Sequence, residues 1–571
     1  MSEVRLKLRL GDLLIQAGLL SDAQLQQALQ EQKRSGSKLG RTVVDLGFVD
    51  EVRLLTALSE QLKIPFIDLK HFKFDNALVQ TLPEAVARRF RVIVLSREGG
   101  GLLVGMSDPL DLFALDEMER ILKTRVQPAV VREAELLATL DTVYRRTSEI
   151  ASIAGELEGE LKDSDFDLSK LGADNNTEAP VVRLLQTLFE DAVQMKASDI
   201  HIEPDEGLVR IRQRIDGVLN EQVMKEARVA SALVMRLKIM SGLDISEKRL
   251  PQDGRFNIRV KGRAIDVRVS TMPVQFGESV VMRLLDQSGG VANLDSSGMP
   301  ADMLVRFRRL LRRPYGLVLV TGPTGSGKTT TLYAGLAELN SPEKKIITVE
   351  DPVEYRLARV NQVQVNAKID LSFARVLRAA LRQDPDIVLI GEMRDQETAE
   401  IGLRAALTGH LVLSTLHTND ALTSAMRLVD MGAEPFLVAT ALNAVLAQRL
   451  VRRVCENCMQ DHVAEPRQLV WLEALYGKSL SGRSFKRGIG CHRCHNTGYA
   501  GRVGVYELLE LDERMVAALR RNDPQEFAEA AQVSAHYRPL AACALDYALA
   551  GITSVEEVLK VCATLTDEVV V

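Results

Sequence analysis

The stretch YGLVLVTGPTGSGKTTTLY carries Gly322, Gly327, Lys328 and Thr329 in the spacing G-x-x-x-x-G-K-T. Glycines so placed let successive backbone N–H groups converge on an anion at a helix start, where the helix dipole adds positive potential. Gly322, Pro323, Thr324, Gly325, Ser326, Gly327, Lys328, Thr329 and Thr330 are therefore candidates to cradle the phosphates of ATP. In such a loop the lysine, here Lys328, reaches the β and γ phosphates and the hydroxyl of Thr329 holds Mg²⁺. The context agrees, because apolar Leu317 to Val320 reads as a strand entering the loop and a helical pattern leaves it.

Three further apolar runs end in polar residues. IITVEDPVEY delivers Glu350 and Asp351, PDIVLIGEMRD delivers Glu392, and GHLVLSTLHTND delivers His417. Parallel strands that bring such residues to one sheet edge beside a phosphate loop build an active site there. Glu350 is the candidate to orient or deprotonate the attacking water and Glu392 the candidate for the Mg²⁺ shell; the reverse assignment fits the pattern equally. For His410 and His417 the alternatives are structural hydrogen bonding and sensing of the γ-phosphate.

Of the six cysteines, Cys455, Cys458, Cys491 and Cys494 form two C-x-x-C knuckles 32 residues apart. Two such knuckles suit a tetrahedral Zn²⁺ held by four thiolates with no open position, hence a structural metal. Cys543 and Cys562 lie in apolar helical surroundings and read as core.

The elements that must position these groups can be outlined from patterning. A chain of 571 residues exceeds what one core organises. The expected class is α/β and multidomain. An N-terminal domain spans 1–145, a flexible acidic linker 146–177 and a middle α+β domain 178–290. A nucleotide-binding part carrying the phosphate loop follows; the family resemblance given below implies the boundary that ends the middle domain at 290, an ATPase domain of 291–571 and the cysteine element at 453–505 within it. Within the first domain, residues 9–32 and 38–61 nearly repeat at a shift of 29. Each copy runs an apolar turn into a glycine (Gly18, Gly47), an N-cap (Ser21 with Gln24, Asp50) and a helix. Leu25, Ala28, Leu29 and Gln32 share one face of the first helix, as Leu54, Ala57, Leu58 and Gln61 do in the second. In the middle domain the strand around VRIRQRI places Arg210, Arg212 and Arg214 on one face. That row is either a solvated sheet face or a comb reaching for phosphate across a boundary.

A net charge of −5 and an aromatic content of 4% offer neither a basic track nor stacking platforms, which counts against a nucleic-acid translocase. No apolar run approaches the ~20 residues of a membrane span and no secretory signal opens the chain, so a cytoplasmic location is expected.

Taken together, ASDIHIEP, EKRLPQDGR, TGPTGSGKTTTLY, VEDPVEY, LRQDPDIVLIGEMRD, LTGHLVLSTLHTNDA and the paired knuckles resemble the type II secretion and type IV pilus assembly ATPases over about residues 178 to 520. The resemblance implies a PAS-like middle domain, a RecA-like core with a zinc-binding insertion and a ring of six subunits. It implies ATP clamped between the middle and RecA-like domains, and an inner-membrane platform protein as partner. The motor would then sit peripherally at that membrane. It puts Glu350 and Asp351 in the family's Asp box, Glu392 in its Walker B segment and His410 and His417 in its His box. Arginines of the middle domain, Arg212 and Arg214 with Arg249 or Arg255, would complete the pocket. The N-terminal pair is similar to the cyclic di-GMP-binding module of MSHA-type pilus ATPases. Carried over, Arg9, Leu10, Gly11, Leu25, Leu29 and Gln32 would bind one half of the dinucleotide, and Leu39, Gly40, Leu54, Leu58 and Gln61 the other. Asp108 would meet a guanine edge. Lys38 stands where the first copy has Arg9 and Val43 where it has Leu14, so the second half-site is expected to be weaker or to rely on backbone and leucine contacts. The remaining alternatives are a docking module with no ligand and a protein that holds ATP without turnover.

Overall fold

The computed structural model describes residues 11, 14–15, 17–35, 39–70, 72, 74–79, 81–109, 111–144, 147–162, 179–286, 293–480, 482–494 and 497–566. Two units divide the chain, and each is taken by itself. One comprises Met1–Ser148, Cys455–Met459 and Gly488–Tyr499; the other comprises the remainder.

In the first unit the repeat visible in the sequence is a repeat of geometry. Gly18 and Gly47 both take left-handed φ values, 68° and 69°. Leu19 N donates to Leu14 O at 2.9 Å, and 29 residues on Phe48 N donates to Val43 O at 3.1 Å. Ser21 and Gln24 exchange a reciprocal capping pair, N to Oε1 at 3.0 Å and N to Oγ at 3.3 Å, ahead of helix α1 (Asp22–Ser35). Asp50 accepts from Arg53 N at 3.4 Å ahead of the second long helix (Glu51–Leu62). Leu14, Ala28, Val43, Leu54 and Leu55 close into one small core, so the Leu14 to Val43 replacement keeps full burial. Beside it lies a three-stranded sheet, with β1 (Val92–Glu98) antiparallel to β2 (Gly101–Met106) and β3 (Val126–Val130) parallel to β2.

The second unit begins with a correction to the expected linker over 146–177. Residues Thr147–Lys162 are a helix whose Ile150, Ile153, Ala154 and Leu157 are buried with Val181, Leu184 and Leu188 of helix Pro180–Gln194. The acidic composition hid an i, i+3, i+4, i+7 apolar stripe, which suffices to dock a helix. Residues 163–178 lie outside the described residues. These helices and Val229–Met240 pack on a six-stranded antiparallel sheet. In chain order its strands are β4 (Asp199–Asp205), β5 (Leu208–Ile215), β6 (Val218–Met224), β7 (Gln252–Val260), β8 (Arg263–Val274) and β9 (Gly277–Asp286), arranged β6-β5-β4-β9-β8-β7.

The seven-stranded sheet that follows is built from β10 (Gly316–Thr321), β11 (Ile346–Glu350), β12 (Val360–Gln364), β13 (Ile387–Ile390), β14 (Leu411–Leu416), β15 (Leu442–Val454) and Tyr499–Glu510. Its order is β12-β11-β13-β14-β10-β15 and then the last strand. The first six pair in parallel. β10, β11, β13 and β14 are fully buried, as expected of parallel strands covered on both faces. Parallel register puts their carboxyl ends at one edge, so the phosphate loop, Glu350, Glu392 and His417 leave the sheet together. Among the described residues no helix is long and apolar enough to cross a membrane.

If helix Thr147–Lys162 is part of the middle domain, Leu157→Ala removes a buried side chain and should cost about 2–4 kcal/mol in denaturant unfolding. A change near zero would restore the linker reading.

Candidate functional site

The loop after β10 can be built only with glycine at its ends. A Cβ on Gly322, whose φ is 143°, would lie 2.4 Å from Gln448 O and 2.6 Å from Ser326 Oγ. Gly327, at φ 89°, is the N-cap of helix Lys328–Leu339. Gln448, fully buried on β15, fixes the loop from beneath by donating to Ser326 O at 2.6 Å and accepting from Thr331 Oγ1 at 2.8 Å. Pro323, Thr324, Gly325 and Thr330 are exposed, and Thr329 is half-buried. This is a preformed ring of backbone with its mouth open to solvent.

Lys328 is buried and donates from Nζ to Gly322 O at 2.6 Å and to Pro323 O at 3.1 Å. Burial lowers its pKa to about 8; the Glu392 carboxylate opposes that shift and the Arg449 guanidinium adds to it. Arg449, likewise buried, donates to Asn419 Oδ1 at 2.7 Å. Neither Gln448 nor Arg449 was anticipated. The available signal was the polar pair Gln-Arg within the mostly apolar LNAVLAQRLV strand.

The two carboxylates are both buried, and their surroundings differ. Glu350 accepts from the Tyr333 hydroxyl, from Thr348 Oγ1 and, at 3.3 Å, from Gln362 Nε2. Burial first, then the bond to Glu350, raises the Tyr333 phenol pKa, so Tyr333 stays a donor. Glu392 pairs with Arg394 at 2.5 Å and faces His417 Nε2 at 3.3 Å. Asp351 is exposed beside Glu350. The histidines part company: His417 ends β14 at the site, whereas His410 precedes that strand at its opposite end. There its Nδ1 lies 3.0 Å from Ala405 O, a structural contact.

Arg212 and Arg214, expected to complete the pocket, are engaged within their own sheet. β5 runs antiparallel to β4, and Arg214 sits opposite Asp199 in register. Arg214 lies 3.7 Å from the Asp199 carboxylate and donates to Gly217 O at 3.0 Å. Arg212 pairs with Glu203 and Arg210 with Asp205. The arginine row was read without the acidic row it faces, and cross-strand pairs of opposite charge satisfy both. Arg255 is held at 2.6 Å by the buried Asp266, and Arg249 pairs with Glu247. The middle-domain arginine that does reach the ATPase domain is Arg268 on β8. It donates to Val353 O at 3.0 Å and pairs with Glu354 at 2.7 Å, in the loop that follows Glu350. Only its position as one of two charges, with Asp266, in the β-patterned AIDVRVST could have marked it.

The four knuckle cysteines are buried and their sulfurs lie within 4.8 Å of one another. Cys455 to Cys491 and Cys458 to Cys494 are 3.8 Å apart, and Cys491 to Cys494 is 3.7 Å. Tetrahedral Zn–S bonds of about 2.3 Å require sulfurs about 3.8 Å apart, so the donor set fits that ion. Cys543 and Cys562 belong to an apolar core; burial raises both thiols, Cys562 to about 11.

Of the residues expected to bind a dinucleotide, Arg9 and Leu10 lie outside the described residues, as does Lys38. Gly40, Leu54 and Asp108 line a single cavity of about 710 Å³. Leu25 is buried, Leu29, Gln32 and Leu39 are half-buried, and Leu58 and Gln61 lie within helix Glu51–Leu62. Gly11 has a packing reason, since a Cβ there would sit 2.8 Å from Leu25 Cδ1.

Comparison with known proteins agrees with this geometry. The profile of the family described as type II/IV secretion system protein matches residues 174–560, and that of the MshEN domain matches 62–150. The chain is 43% identical to the type IV pilus assembly ATPase PilB of Myxococcus xanthus over 88% of its own length and 89% of the relative's. It is 44% identical to the type II secretion system ATPase E of Vibrio cholerae over 85% and 97%. The crystal structure of the ATPase DotB from Legionella pneumophila shares the fold, with a TM-score of 0.50 and 23% identity over 67% of this chain and 96% of that one.

The lowered Lys328 pKa has a consequence for binding. Phosphate favours the ammonium, so ATP binding takes up a proton wherever the free lysine has lost one. ATP affinity measured by fluorescence titration should be level below pH 7 and fall by up to about tenfold per unit above pH 8. Lys328→Met should bind more weakly with no such fall.

Proposed function

The chain belongs to the type II/IV secretion system protein family, and on that premise we propose that this ATPase is a homohexameric motor for pilin or pseudopilin assembly. The observation that carries the reading is the shared edge of β10, β11, β13 and β14. A phosphate loop, two buried carboxylates and a histidine leave that one edge together, which supports reading it as the site for ATP, Mg²⁺ and a water. Lys328 would bind the β and γ phosphates and Thr329 the Mg²⁺. Glu392, electrostatically coupled to Lys328, would act on the Mg²⁺ shell, and Glu350 would orient or deprotonate the attacking water. His417 would hold Glu392.

Motion would reach the middle domain through Arg268. Its partner Glu354 presents a backbone N–H 3.4 Å from the Tyr333 hydroxyl that serves Glu350, so a change at the catalytic carboxylate is three contacts away from β8. The platform is an inner-membrane protein, and the motor works peripherally at the cytoplasmic face. The four knuckle cysteines carry a structural Zn²⁺ that adds no step to the reaction.

The N-terminal repeats bind cyclic di-GMP and regulate the motor. Support comes from the MshEN match over residues 62–150, the segment that directly follows the repeats and carries Asp108, from the equivalent geometry of the two repeats and from the cavity that joins Gly40, Leu54 and Asp108.

The purified chain with Mg²⁺ and ATP should hydrolyse ATP, assemble as a six-subunit particle in light scattering, and change its turnover when cyclic di-GMP is added. ATP binding without turnover would overturn the motor, and turnover unaltered by a bound ligand would overturn the regulation.

A further inference from the structure

The cavity on the second repeat is walled by more than the repeat. Gly40 and Leu54 come from the motif, Asp108 from the segment after β2, Arg89 and Arg91 from the end of helix Glu84–Phe90, and Glu133 from the next helix but one. Among the described residues that line it, five are carboxylates and the cations are Arg89 and Arg91. A dianionic ligand cannot settle against five carboxylates without a cation of the wall turned to its phosphates.

The backbone fixes the position of Arg91. It takes the left-handed C-cap position, φ 51°, where glycine is usual, and its N–H closes the helix onto Ala87 O. Its own carbonyl accepts from Ser107 N at 3.2 Å, tying it to the segment that carries Asp108. The Arg91 guanidinium pairs with Glu133, and its side chain remains 51% exposed. A guanidinium has five N–H donors in a planar fork, so one carboxylate leaves an edge for a second anion. Arg89 is turned otherwise, with its guanidinium carbon 5.1 Å from the centre of the Phe90 ring.

We propose that Arg91 supplies, for the second half-site, the phosphate-binding guanidinium that the second motif lacks. The first motif opens with Arg9 and the second with Lys38, a point charge without the fork. The inference rests on the cyclic di-GMP reading above. In it Arg91 meets the phosphodiester while Asp108 accepts from the N–H edge of the guanine.

The test is calorimetric titration of full-length protein with cyclic di-GMP, the melting temperature of each variant being checked first. Arg91→Ala should bind at least tenfold more weakly than wild type, with Arg91→Lys between them and Arg91→Gln, which keeps the side-chain stem, close to the alanine variant. Lys38→Arg added to Arg91→Ala should recover most of the loss, whereas Glu133→Gln should bind no more weakly than wild type. If wild type binds and both Arg91→Ala and Arg91→Gln stay within twofold of it, Arg91 has no such role and the cyclic di-GMP reading stands. A loss in Glu133→Gln equal to that in Arg91→Ala would make Arg91 part of a structural pair and overturn its role as a ligand. If wild type itself does not bind, the cyclic di-GMP reading falls and this proposal with it.

Discussion

Lys328, Arg449, Glu350 and Glu392 are all withdrawn from water in the ATPase domain, at 9%, 6%, 4% and 9% exposure. Buried charge is tolerated only when it is paired or hydrogen-bonded, and each of these groups is. Lys328 lies on two loop carbonyls, Arg449 on Asn419, Glu392 between Arg394 and His417, and Glu350 among Tyr333, Thr348 and Gln362. The carboxyl edge of the parallel sheet holds those partners in place, and Gln448 and Lys328 tie the loop backbone to it.

That constraint also explains how the two domains are joined. The Tyr333 hydroxyl, which serves Glu350, is approached by Glu354 N, and Glu354 is gripped by Arg268 of the middle domain. Asp216, in the β5–β6 turn, makes a second link by accepting from Gly501 N at 2.9 Å. Here Arg214 contributes after all, as a support: its bond to Gly217 O steadies the turn that presents Asp216. Polar contacts thereby link a sheet of antiparallel strands to a parallel one.

Much of the site was legible because its chemistry is local in sequence. The phosphate loop and the strand-ending Glu350 and Glu392 each announce themselves within a dozen residues, as each C-x-x-C knuckle does, and the parallel sheet brings the loop and both carboxylates to one edge. What could not be read depends on partners far along the chain. The arginine row of β5 looked available only because the opposing carboxylates of β4 are a register effect. Arg268 looked like an ordinary strand residue until folding set Glu354 beside it. His410 and His417 are seven residues apart, but a six-residue strand separates them, so they stand at opposite ends. The helix at Thr147–Lys162 failed for another reason: composition was weighed above periodicity, and four buried positions outweigh many exposed acids. In the first repeat the resemblance assigns Gly11 to the ligand, and the packing of Leu25 calls for a glycine there as well.

The central claim is that the buried carboxylates at the strand ends do the chemistry while the loop does the binding. ATP affinity and ATP turnover measured side by side on Glu350→Gln and Glu392→Gln test it most directly, because the amide keeps size and most hydrogen bonds while removing charge and basicity. The account predicts that Glu350→Gln binds ATP within a few-fold of wild type and loses turnover by about a hundredfold or more. Turnover unchanged in both variants would contradict it.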